Sequence, residues 1–285
     1  MRAIIPMICT AALLLTSCAT DSIPVSATSS ATLPVSGADG EPAGQPTAAP
    51  QYVVWQGYQR PSSGGVERAD RIQQVPPVGP EEGRPIEPVM RFELRAGDQQ
   101  TSGGYTANRA EVFSRRAWSD DVPADEWPDP PGSIRWFGFS FYVPEDFATA
   151  TDDKWLTFTQ WKGARGGSPP LALEIKRESL RLGGARTNAG LVPGDGLIGP
   201  LVRGAWTRLE IGLSMSSDPA AGWVEVWRDG ELVLARTSLA TQDIVDGGPD
   251  PLYLKQGIYR DSRWRPVHVL YFGPVKIGNT RDRVT

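Results

Sequence analysis

Polar and apolar positions alternate with a period of two over most of residues 89–277. That alternation sends successive side chains to opposite faces of an extended strand. It predicts strands over 89–94, 105–113, 134–143, 155–161, 171–176, 206–215, 223–227, 231–236, 252–260 and 267–277. These segments are dense in Trp, Tyr, Phe, Val and Ile, and Gly or Pro clusters separate them. Trp227-Arg228-Asp229-Gly230-Glu231 carries the Asp-Gly signal of a two-residue hairpin turn. No segment keeps a long helical period. Residues 144–150 are read as one or two helical turns. So many strands in one domain predict an all-β fold, a two-sheet β-jelly roll with one concave sheet across which a polymer can lie. Residues 61–88 and 183–204 read as long irregular segments, either rimming such a groove or making surface excursions.

The N-terminal segment breaks this pattern. Arg2 precedes a short apolar run at residues 8–15, and the segment closes with Leu15-Thr16-Ser17-Cys18. It reads as a bacterial lipoprotein signal peptide (residues 1–18), with Cys18 as the acylated residue. Residues 19–50, rich in Ser, Thr, Ala, Pro and Gly, read as a disordered tether. Residues 51–285 read as one globular domain. No other apolar run approaches the ~18 residues of a membrane span. Membrane contact is therefore expected through the N-terminal lipid only, with the domain exported and held at the bacterial cell envelope or surface.

Charge and cysteine content narrow the picture. The chain has 29 basic and 33 acidic residues, a formal net charge of −4. It lacks the basic footprint of a nucleic-acid binder, and an anionic ligand would have to be met by a few local cations. The two cysteines are Cys9 and Cys18. The domain itself is expected to hold no disulfide and no thiolate metal site. A monomer is expected. No organic cofactor is implied and no metal-ligand set stands out, although a structural calcium ion is compatible with the chain.

Candidate chemistry concentrates in Tyr253-Leu254-Lys255-Gln256-Gly257-Ile258-Tyr259-Arg260. On a strand, Tyr253, Lys255 and Tyr259 share one face with Gly257 between them, whereas Leu254, Gln256 and Ile258 share the other. The missing side chain at Gly257 would leave room for a polymer. Two more segments pair polar residues at the same spacing: Arg109 with Glu111, and Gln160 with Lys162. If the three strands are neighbours, these residues form one patch suited to β-elimination from an acidic sugar. Arg109, Gln160 and Lys162 would stabilise the aci-carboxylate that forms as the C5 proton leaves. Tyr259 would move the proton, and Lys255 would lower the tyrosine's pKa or bind the neighbouring sugar. Glu111 would orient Arg109 or help bind substrate, with Tyr253, Arg260 and Trp264 as further contacts. Each residue also has a structural reading, such as an Arg109–Glu111 ion pair or a tyrosine packed at a sheet edge.

Other motifs carry less. Trp136, Trp155, Trp206, Trp223 and Trp227 fall in strand patterns and read as core or inter-sheet packing; Trp161 is expected to face the core. Trp264, after the octet, reads as a sugar-stacking residue. His268 reads as structural. Gly194-Asp195-Gly196-Leu197-Ile198-Gly199 matches a dinucleotide fingerprint by letters but opens no helix. Paired glycosidase glutamates, a nucleophile elbow and zinc ligands are not found.

The three segments together resemble those of jelly-roll (concanavalin-like) polysaccharide lyases: the heparin lyase I-like and glucuronan lyase families, with alginate lyases more distant. The resemblance rests on Arg109-Ala110-Glu111, Gln160-Trp161-Lys162 and Tyr253 through Tyr259. Phe139-Ser140-Phe141-Tyr142-Val143-Pro144 and Gly222-Trp223-Val224-Glu225-Val226-Trp227 add lesser similarities. It spans roughly residues 88–278. It implies a groove for an acidic polysaccharide and lysis of 1,4-linked uronate polymers, glucuronan- or mannuronan-like. One position departs: Lys162 stands where those families have histidine. A base and an acid on opposite faces of the sugar are then lacking, which implies syn elimination at D-glucuronate or D-mannuronate. The alternative is a non-catalytic carbohydrate-binding surface lipoprotein on the same fold.

Overall fold

The computed structural model describes residues 51–102, 105–114, 132–185 and 192–285. The signal segment, Cys18 and the tether lie outside the described residues.

Two antiparallel sheets stack as a jelly roll. Edge to edge, one sheet runs Glu231–Ser238, Trp223–Arg228, Trp206–Ser214, Ile134–Tyr142, His268–Phe272, Val89–Leu94 and Ile72–Val75, with Lys276–Gly278 and Gln51–Tyr52 alongside. The other runs Leu197–Pro200, Ser179–Gly183, Leu171–Lys176, Leu156–Gly163, Leu252–Arg260, Tyr105–Phe113 and Gly57–Gln59, with Gln100–Ser102 pairing Tyr105–Phe113. Neighbours along the chain are often not neighbours in the sheet, so the strands that form the central patch come from distant sequence.

Alternation selects the buried faces. Phe137, Phe139 and Phe141 from one sheet meet Phe158 and Trp161 from the other. Phe141 stacks on Phe158 at 5.1 Å between centroids, and Phe137 meets Trp161 edge-on at 5.5 Å. Burying side chains of this size is the main favourable term in holding the sheets together, roughly 1.5–3 kcal/mol each.

Most predicted strands appear within a residue or two of their expected ends. The Asp229-Gly230 turn forms as read, with φ of 50° and 86°, and joins Arg228 to its partner Glu231. Four features differ. The 267–277 segment is two strands, because Pro274 has no N–H to continue the ladder after Gly273. Residues 144–150 hold a single turn, closed by Phe147 N–H to the Pro144 carbonyl (3.1 Å), and not a helix. The 61–88 segment includes the edge strand Ile72–Val75. Ser179–Gly183 and Leu197–Pro200 extend the second sheet beyond what the alternation indicated.

The tryptophans also need correction. Val224 and Val226 take the inward face of their strand, so Trp223 and Trp227 point outward. Trp136 lies beside Trp223 on the same outer face, at 6.4 Å between ring centroids. Arg236 and Arg281 cover Trp223 and Trp227 at 3.8 Å and 3.5 Å from the ring centroids. Trp206 also faces outward, stacked near Tyr142 with its indole N–H on the Val78 carbonyl.

Candidate active site

Leu156–Gly163, Leu252–Arg260 and Tyr105–Phe113 lie side by side in the second sheet. Their register sets Gln160 opposite Lys255, Lys162 opposite Tyr253, Arg109 opposite Tyr259 and Glu111 opposite Gly257. Ala110, Val112, Leu254, Ile258 and Trp161 fill the core side of these strands. The opposite parity therefore carries the polar residues onto the outer face of the sheet.

Against Leu156–Gly163 the ladder slips by one residue between Gln256 and Tyr259. Gly257 sits in this slip with φ of 143°, a value that disfavours any side chain. A Cβ there would strike the Ala110 carbonyl, the Glu111 backbone and the Phe92 ring. Gly257 thus serves strand-to-strand contact and the core. The expectation that it leaves space for a polymer is not what its surroundings require.

Glu111 is the centre of the patch. It is 1% exposed and accepts a hydrogen bond from the Gln160 side-chain amide and another from the Lys255 ammonium at 2.6 Å. Arg109 Nε lies 3.8 Å from the same carboxylate and has no hydrogen-bond partner. The Arg109 guanidinium covers the Tyr259 ring at 4.3 Å and donates to Gln59 at 3.4 Å. Trp155 meets Tyr259 edge-on at 4.7 Å. Burial lowers the Lys255 pKa, against the opposing pull of Glu111. Burial raises that of Tyr253, with Glu111 adding to it, so this phenol stays protonated.

Lys162 stands at the side of the cluster. Its ammonium donates to the Gly166 carbonyl at 2.5 Å. Burial, reinforced by the Lys255 charge, brings its pKa down to about 8. Fully buried Asp250 accepts the Arg165 N–H at 3.1 Å and so closes the turn that presents Gly166.

Two expected substrate contacts are elsewhere. Arg260 has the parity of Ile258 and points inward, where it donates to the Pro266 carbonyl at 2.7 Å and meets His268 at 2.8 Å. Trp264 is buried edge-on against the His268 ring, with its indole N–H on the Trp155 carbonyl, so it offers no open face for stacking. His268 is structural, as read: it stacks on Phe147, and burial holds its pKa down at about 3. Gln59, Trp155 and Asp250 were missed. The Gly57–Gln59 alternation is too short to register, and Trp155 reads as packing because it opens a strand.

Among the described residues, no cluster of three or more His, Cys, Asp or Glu side chains could hold a metal ion.

The polysaccharide lyase family model matches residues 54–282. The chain belongs to the polysaccharide lyase family. None of the curated proteins matches it. Among solved structures it is similar to the endo-β-1,4-glucuronan lyase of the fungus Trichoderma reesei, at 18% identity and a TM-score of 0.54, covering 81% of this chain and 98% of that one. It is also similar to family 7 alginate lyase A1-II', at 13% identity and a TM-score of 0.49, covering 78% and 94%. At 18% identity the likeness to the glucuronan lyase is one of fold, a jelly roll. Membership of the family implies an acidic polysaccharide substrate.

Proposed function

We propose that this lyase cleaves 1,4-linked uronate polymers by β-elimination, with D-glucuronate or D-mannuronate as the residue attacked. The observation that carries the reading is the convergence of Arg109, Gln160 and Lys255 on one buried carboxylate, Glu111, with the Tyr259 ring held under the Arg109 guanidinium. Glu111 fixes Arg109 and Gln160 in place, so little reorganisation is needed when charge develops.

In this reading the Tyr259 oxygen, as phenolate, takes the C5 proton. The C5–H electron pair forms the C4=C5 double bond, the C4–O4 bond breaks, and the same proton passes to O4. The Arg109 guanidinium and the Lys162 ammonium meet the substrate carboxylate, and the second N–H of the Gln160 amide adds a donor. Negative charge at Tyr259 is stabilised by the Arg109 guanidinium over its ring. Lys255, buried against Glu111, acts as its counter-ion and orients it, and does not touch the sugar. The fold relative from Trichoderma reesei is named for glucuronan, which agrees with glucuronate as the attacked residue.

A binding role without catalysis has one observation in its favour: Gln160 and Lys255 are both engaged by Glu111 and almost fully buried. Incubation of residues 51–285 with glucuronan, polymannuronate, hyaluronan and heparan separates the two. The lyase reading expects ultraviolet absorbance from the new C4=C5 bond on at least one polymer. Retention on a polymer column with no absorbance change would establish the binding role instead.

A further inference from the structure

Beyond the strand that carries Gln160, the outer face of the same sheet continues onto Leu171–Lys176 and Ser179–Gly183. The row that contains Lys255 and Gln160 passes to Ala172 and then Gly183. These two residues leave a low floor beside Gln160. Glu174 lies over it: a Cβ added at Gly183 would overlap the Glu174 carboxylate.

Among the described residues, Glu174 is the acid placed over this floor, and its surroundings leave it for a ligand. Arg181 is its direct cross-strand partner, yet the Arg181 guanidinium donates to the Asp195 backbone carbonyl at 3.2 Å. Among the described residues, no hydrogen bond or ion pair holds the Glu174 carboxylate, and Lys176 is the charged group that acts on it. Burial raises its pKa above the usual carboxylate value. Glu111 on this outer face is treated differently: Gln160 and Lys255 both donate to it, and Arg109 lies 3.8 Å away.

Two strand spacings, about 10 Å, separate the Gln160 strand from the Gly183 strand. That reach covers a sugar next to the one being cleaved. A carboxylate there would face Glu174 as a like charge, whereas hydroxyl or amide N–H groups would donate to it. Resting on the lyase reading, we propose that Glu174 sets specificity at this neighbouring subsite: the sugar beside the cleaved uronate carries no carboxylate, and the substrate alternates uronate with a neutral sugar.

The test compares hyaluronan, which alternates glucuronate with N-acetylglucosamine, with glucuronan, a glucuronate homopolymer. Wild type should favour hyaluronan in kcat/KM, and Glu174→Gln, which keeps the shape and removes the charge, should shift the ratio toward glucuronan by about tenfold. An unchanged ratio in Glu174→Gln overturns the assignment, as does a wild-type preference for glucuronan. Binding of both polymers by calorimetry provides the second readout. If neither polymer is turned over, the lyase reading fails for these substrates, but the binding ratio must still shift by the same factor in Glu174→Gln. If it does not shift, or neither polymer binds, the specificity proposal fails too.

Discussion

Replacing Glu111 by Gln would keep its shape and leave the Lys255 ammonium buried without a counter-ion. Breaking a buried pair from one side costs about 3–5 kcal/mol. Urea unfolding should show a loss of that order for Glu111→Gln, with much of it recovered when Lys255→Met is added. A double variant no more stable than Glu111→Gln would show that the pair does not matter to the fold. Lys162 gives a second prediction at this scale. Its pKa lies near 8, so it is charged below that value and neutral above it. If its ammonium meets the substrate carboxylate, KM should rise as pH passes upward through about 8. Lys162→Met should raise KM at pH 7 and abolish that limb; a limb that survives in Lys162→Met assigns it to another group.

At the scale of the element, the site depends on a one-residue slip that only glycine accommodates. Gly257→Ala should destabilise the domain by about 1–3 kcal/mol through its φ alone, with more from the overlap with the Ala110 carbonyl. Thermal unfolding of this variant checks it, and an unchanged midpoint would contradict the assigned conformation. Strands were legible wherever alternation ran for six residues or more. It fixes which residues share a face but not which face is inward. In Trp223-Val224-Glu225-Val226-Trp227 both parities carry large apolar groups, so the tryptophans were placed inward, although two arginines make the outer face hospitable to them. Arg260 was the reverse case: its shared parity with Ile258 already pointed it into the core. The short edge strands lacked enough residues for any period to show.

Across the whole molecule, Tyr259, Arg109, Glu111, Gln160 and Lys255 come from segments up to about 150 residues apart, and their grouping on one face followed from parity. That Glu111 is the hub did not, because hydrogen-bond partners depend on which strands are adjacent, and adjacency is set by the topology of the whole sandwich. The same interior contains His268 with its pKa held at about 3 against an ordinary value near 6.5. The unfolded chain then binds a proton that the folded one refuses between those values, so this histidine subtracts stability as pH falls from 6.5 toward 3. Denaturant midpoints should decline over that window, and less steeply in His268→Gln; equal slopes would place the acid sensitivity elsewhere. In the proposed reaction a tyrosine fixed beside Arg109 and the Glu111 cluster carries the proton in β-elimination. Its most direct test is Tyr259→Phe on the best polymer substrate, with turnover followed by ultraviolet absorbance and affinity by calorimetry. Turnover should fall by at least about a hundredfold with affinity within a few-fold of wild type; near-normal turnover without the phenolic oxygen would rule out Tyr259 as the proton carrier.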